Sequence, residues 1–158
     1  MFHSPKGVAV LTAFLLWAAG AFAQSSTPVT TSYDINLNDQ VTVNTCSAGE
    51  PVALNGTVHI QSSVTTDSSG VNYFTVTAAN NLTGIGQTTS ASYAAADSDD
   101  YSSNTSDPSA DMTVELKSDL KPQGANTSLT LVQSLHIVVD TSANISAQVI
   151  SNSTSCGS

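Results

Sequence analysis

The chain has 158 residues, with three basic side chains against twelve carboxylates and a formal net charge of −9. Gripping nucleic acid requires Lys and Arg to neutralise phosphates, and this balance excludes that class of function. The same deficit argues against anionic membrane surfaces, while the acidity favours solubility.

The chain opens with a short segment holding one basic residue, Lys6, followed by an apolar run from Val8 to Ala19. Ala21-Phe22-Ala23 fits a small-x-small cleavage site, so residues 1–23 read as a removable secretory signal with Gln24 as the mature N-terminus. The apolar run is shorter than the roughly 20 residues of a spanning helix. The polar segment Ser151 to Ser158 has no hydrophobic anchor signal. The expectation is a secreted chain, extracellular or periplasmic, with no membrane insertion after cleavage. In the mature part, Ser, Thr and Asn together outnumber the hydrophobic residues, so the core is thin for one domain. Lys117 and Lys121 are its only basic side chains.

Gln24 to Ser32 is Ser/Thr-rich and reads as a flexible lead-in (24–32) before a single β domain (33–158). Tyr33, Ile35 and Leu37, then Val41 and Val43, alternate with polar residues at strand periodicity. Val52 to Thr66 is a long β-rich segment. Asp67-Ser68-Ser69-Gly70 is a turn, and Val71 to Thr77 returns as the second arm of a hairpin. Asn80 to Gly86, with two Asn and two Gly, predicts a bulge or bend. Thr88 to Ala96 is a further strand candidate, weakened by Ala94-Ala95-Ala96. Asp97 to Asp111 reads as a long mobile acidic loop. Met112, Val114 and Leu116 restart the alternation, Lys121 to Gly124 turns, and Leu129 to Val139 is the most apolar strand. Asp140 to Asn144 turns again before Ile145, Ala147 and Val149.

Short strands joined by short turns, without a sustained helical period, give an all-β fold: a small antiparallel up-and-down meander barrel, with a two-sheet sandwich as the alternative. Cys46 and Cys156 are the only cysteines. In an exported chain they form one disulfide, the rival being two free thiols. If the strands flanking them pair, the sheet closes and loses its exposed edges.

Cys46, Gly49-Glu50, Val52, Leu54, Gly56-Thr57 and His59 resemble the opening of a family of uncharacterised exported bacterial proteins. Asn81-Leu82-Thr83-Gly84-Ile85-Gly86 followed by Tyr93 is similar to that family's Gly-rich middle. Leu135-His136-Ile137 and Cys156 are similar to its late His strand and closing Cys. The resemblance covers most of Cys46 to Cys156 and implies an exported β domain, with no activity attached. The chain departs from the family in its few aromatics and its acidic 97–111 segment.

Candidate ligand-binding residues are His59, His136, Tyr73 and Tyr93. The two histidines sit in like settings, Val58-His59-Ile60 and Leu135-His136-Ile137. Strand parity lets both point to one wall of a barrel, as a ligand anchor or two legs of a metal site. No nearby spacing supplies further ligands, so no metal and no cofactor are expected, and ordinary strand histidines are the plainer reading. The 97–111 aspartates suggest Ca²⁺, but lack the glycine and final glutamate of an EF-hand loop; a solvated acidic loop is the plainer reading. Gly84-Ile85-Gly86 has no lysine or following helix for a phosphate loop. Six Asn-x-Ser/Thr sequons, among them Asn55, Asn81 and Asn104, are of the kind a chain so rich in these residues produces by chance. No Gly-x-Ser-x-Gly elbow occurs, and nothing pairs Glu50 with Glu115 for glycoside hydrolysis. The function these features favour is a non-enzymatic β-barrel that binds a small molecule or a surface partner. A pilin-like structural subunit is the second class and a barrel enzyme the third. The sequence leaves the oligomeric state open.

Overall fold

A computed structural model describes residues 26–46, 48–123 and 129–156. The expected secretory signal and its cleavage site lie outside the described residues. Among the described residues the fold has eight strands: β1 (Val29–Asn44), β2 (Glu50–Thr66), β3 (Asn72–Gly86), β4 (Ser92–Ala95), β5 (Ser98–Thr105), β6 (Ala110–Pro122), β7 (Leu129–Val139) and β8 (Ile145–Cys156). β1 begins at Val29, ahead of the alternation that starts at Tyr33. The backbone and hydroxyl of Ser26 bond to Thr66 and hold this first segment against the end of β2.

All pairings are antiparallel, in the order β1-β2-β3-β4-β6-β7-β8, with β5 also paired to β3. β4 covers the Leu82–Ile85 end of β3 and β5 covers Asn72–Ala79. β4 and β5 therefore act as one strand bent at Ala96-Asp97, and the meander has seven positions around its axis. It is nearly closed into a barrel. An odd number of positions makes the first and last strands run parallel: Thr31 meets Ala143 near one end, Val43 meets Thr154 near the other. The Cys46–Cys156 disulfide joins the two strand ends, with the Cα atoms 5.3 Å apart.

Two sequence expectations are corrected. Asp97 to Asp111 is not a mobile loop, since β5 and the start of β6 occupy most of it. On the side facing β6 its side chains substitute for a backbone ladder. Asp97 and Asp99 accept hydrogen bonds from the Asp119 and Lys117 amides (2.9 and 3.2 Å), and the Tyr101 hydroxyl donates to the Glu115 carbonyl at 2.5 Å. Asn80 to Gly86 does not bend away either. β3 runs through it in continuous register with β2, and the glycines of β2 and β3 serve close approach. A Cβ on Gly56, at φ +136°, would meet the Asn81 carbonyl oxygen at 2.2 Å, and one on Gly86 would meet the Glu50 carboxylate at 2.4 Å.

The alternation of Val52, Leu54, Val58 and Ile60 on β2 points these side chains inward, as it does Leu129, Leu131, Leu135, Ile137 and Val139 on β7. With Phe74, Val76, Leu82, Leu116 and Leu120 they fill the barrel interior. Burying each such side chain contributes roughly 1.5–3 kcal/mol. A polar group centred on Asn80 crosses this core. The Asn80 amide donates to Ser118 Oγ and Gln133 Oε1 (both 3.0 Å), and its oxygen accepts from the Asp97 amide at 3.1 Å. Gln133 in turn donates to Asn152. Asn80 stands where the partner of β3 changes from β4 to β5, and it satisfies the backbone group freed by that bend.

Two predictions follow from this packing. Asn80→Ala leaves the Asp97 amide and the Gln133 carbonyl without their partner, and should cost about 2–3 kcal/mol in urea denaturation. The Cys46–Cys156 link spans 110 residues, so Cys46→Ser should cost on the order of 4–5 kcal/mol by loop entropy. Coincident urea midpoints for the oxidised and reduced protein would refute the second.

Candidate functional site

β2 and β7 turn their apolar residues inward, so the residues between them face out. His59 and His136 are accordingly on the outer wall, and neither reaches the barrel interior. Each has found a carboxylate on the neighbouring strand. His59 Nδ1 lies 2.5 Å from Asp34 Oδ1, directly opposite it in the β1–β2 register. His136 Nε2 lies 2.8 Å from Asp111 Oδ1, diagonally across β6–β7. Both pairs join residues 25 apart in the chain. They lie on opposite sides of the parallel β1/β8 meeting line. Both are solvent-accessible, so each contributes little to stability. The open face beside His136 forms a shallow depression with Val138, Ser146 and Gln148.

The two tyrosines part company. Tyr73 is 44% exposed on the outer wall, and its hydroxyl donates to Asp67 Oδ2 at 3.2 Å. That bond, and the nearby negative charge, raise the Tyr73 pKa above its ordinary value. Tyr93 is 4% exposed and belongs to the core. Its hydroxyl accepts from the Asn44 amide at 2.9 Å and donates to Glu50 Oε2 at 3.3 Å. Among the described residues, none of His59, His136, Tyr73 and Tyr93 bonds to another of the four.

Sequence reasoning missed Glu50 as an organising residue. It is buried at the disulfide end of the barrel. Its Oε1 accepts from the Thr89 hydroxyl and amide (both 2.7 Å) and from the Thr88 amide (3.3 Å), which holds the β3–β4 turn. Asn44, which bonds Tyr93, also accepts from the Cys46 amide at 2.9 Å. The carboxylate, the turn and the disulfide thus form one connected group. The Thr89 hydroxyl, with backbone amides, lowers the Glu50 pKa. The Gly-Glu dipeptide and the glycine at 86 were the available signals, but they carry no meaning until β2 and β3 are laid side by side.

The acidic residues once grouped as a calcium candidate are dispersed. Asp97 and Asp99 hold β6 amides, Asp100 accepts from the Thr77 hydroxyl at 2.6 Å, Asp107 accepts from Ser109, and Asp111 pairs with His136. No group of three or more His, Cys, Asp or Glu side chains converges as a metal site among the described residues. No protein-family model, curated protein or solved structure matches the chain.

Three turn aspartates repeat one device. Asp67 is held low by the Ser69 hydroxyl, Asp107 by the Ser109 hydroxyl, and Asp140 by the Asn144 side chain. With Glu50 these make four carboxyls whose folded pKa lies below the unfolded one. Their contribution is present above the ordinary carboxyl range, about pH 4, and is lost as pH falls through the folded values. The melting temperature should therefore hold from pH 7 to 5 and fall below about pH 4, and Glu50→Gln should blunt that fall. A flat melting temperature down to pH 2 would contradict it. His59→Ala and His136→Ala should fold as the parent does, because both rings are on the outer wall; circular dichroism and melting check this.

Proposed function

We propose that the protein is an exported, non-enzymatic binding module that meets a small molecule or a surface partner with its outer wall. The observation that carries this reading is the occupied interior. Apolar side chains and the Asn80–Gln133 group take the space that ligand-holding barrels leave open. A ligand must then be met outside, where the two His–Asp pairs and Tyr73 present hydrogen-bonding groups on rigid strands. The Cys46–Cys156 disulfide is compatible with a secreted or periplasmic location. Tyr93, buried and tied to Glu50, serves the fold in this reading.

The test is native mass spectrometry of the protein secreted by its own host, repeated with a His59→Ala/His136→Ala double variant. The expected result is a bound adduct on the parent that is reduced at least tenfold in occupancy on the variant. An adduct that survives the double substitution, or a bare parent mass, overturns the outer-wall reading.

A further inference from the structure

The barrel meets itself along β1 and β8, and this line differs from every pairing in the order of the sheet. No backbone ladder joins the two strands among the described residues. Threonine side chains span it instead. The Thr31 hydroxyl donates to the Ala143 carbonyl at 2.8 Å, that of Thr154 to the Val43 carbonyl, and that of Thr45 to the Thr154 carbonyl at 3.4 Å. The only covalent tie is the disulfide at one end, and both of its cysteines are exposed. Elsewhere β1 is held to β2, and β8 to β7, by ladders along nearly their whole length. Separating β1 from β8 therefore costs no backbone ladder bond.

We propose that the Cys46–Cys156 bond is a redox clasp, and that releasing it offers the β1 and β8 edges to a second copy of this chain. Reduction by a dithiol proceeds by thiolate attack on one sulfur, then ring closure of the reductant. Two electrons and two protons end on the Cys46 and Cys156 thiols, and the reductant leaves as a cyclic disulfide. Opening the line bares Ile35 and Leu37 on β1 and Ala147 and Val149 on β8, which pack against the core when closed. That apolar surface drives re-covering.

The structure also indicates what covers it. β1 and β8 already fit each other in one chain, so β8 of one copy fits β1 of the next in the same parallel register. Charge permits the match: β8 has no charged side chain, and β1 has only Asp34 and Asp39. Two copies can exchange edges reciprocally and close as a dimer, or pair head to tail and extend. This inference is independent of the outer-wall reading, because it uses neither histidine pair.

The experiment compares the oxidised protein with protein reduced by dithiothreitol, using light scattering and hydrogen exchange across a tenfold concentration range. The oxidised form should be a monomer. The reduced form should double in mass or more as concentration rises, with exchange at least tenfold faster in β1 and β8 while β2, β3, β6 and β7 stay protected. Reoxidation at high concentration should then trap covalent dimers linked Cys46 to Cys156, seen on a non-reducing gel. A Cys46→Ser/Cys156→Ser variant should associate without reductant, and an oxidised Thr31→Val/Thr154→Val variant should stay monomeric. A reduced protein that stays monomeric overturns the proposal. So does loss of protection throughout the barrel, or reoxidation that returns monomer alone.

Discussion

Seven strand positions around one axis leave a meander with parallel ends, and the rest of this structure is arranged around that fact. A hairpin cannot join parallel neighbours, and no backbone ladder closes them among the described residues, so the closing contact comes from side chains and a covalent bond. Thr31, Thr45 and Thr154 supply the first, and Cys46 and Cys156 the second. The thin core makes this closure matter. With few aromatics and many hydroxyl residues, the chain depends on keeping its limited apolar surface enclosed on all sides, and an open β1/β8 line would wet it.

The same solution recurs between β5 and β6. There too the strands lie beside each other without a backbone ladder among the described residues, and the side chains of Asp97, just before β5, and of Asp99 and Tyr101 within it reach the backbone of β6. The acidity of this segment has a local use in that arrangement. A carboxylate is a strong acceptor for an amide that would otherwise lack a partner. Ser/Thr/Asn/Asp-rich composition, which lowers strand propensity, here supplies acceptors and donors that stand in for ladder bonds. Polar side chains do the same inside the barrel, where Asn80 closes the bend between β4 and β5.

The outer wall and the disulfide end are organised differently. The two His–Asp pairs are accessible and lightly held, and removing them should leave the barrel intact. Glu50 is enclosed and bound by Thr88, Thr89 and Tyr93, so it fixes the β3–β4 turn relative to the strand that leads from the disulfide. The accessible pairs are thus mechanically separate from the groups that hold the fold.

Much of the architecture was legible along the chain. Period-two alternation in Val52 to Ile60 and Leu129 to Val139 is a local property of strands, so it marked the core faces correctly. Turn residues such as Asp67 and Asp140 act within four residues, so their positions were readable too. The cysteine count also pointed to the bond the structure contains. What the sequence did not determine depends on neighbours far apart in the chain. Asp97 to Asp111 reads as a loop on composition alone, and most of it becomes strand because β3 and β6 lie on either side. The histidine parity was visible, but which side faced inward was set by the apolar residues of the same strands once they met a common core. Asp34 became the partner of His59, and Glu50 the keystone of a turn, only through register between strands. The parallel closure was decided last of all. It depends on β4 and β5 sharing one position, a bend that only their common partner β3 imposes.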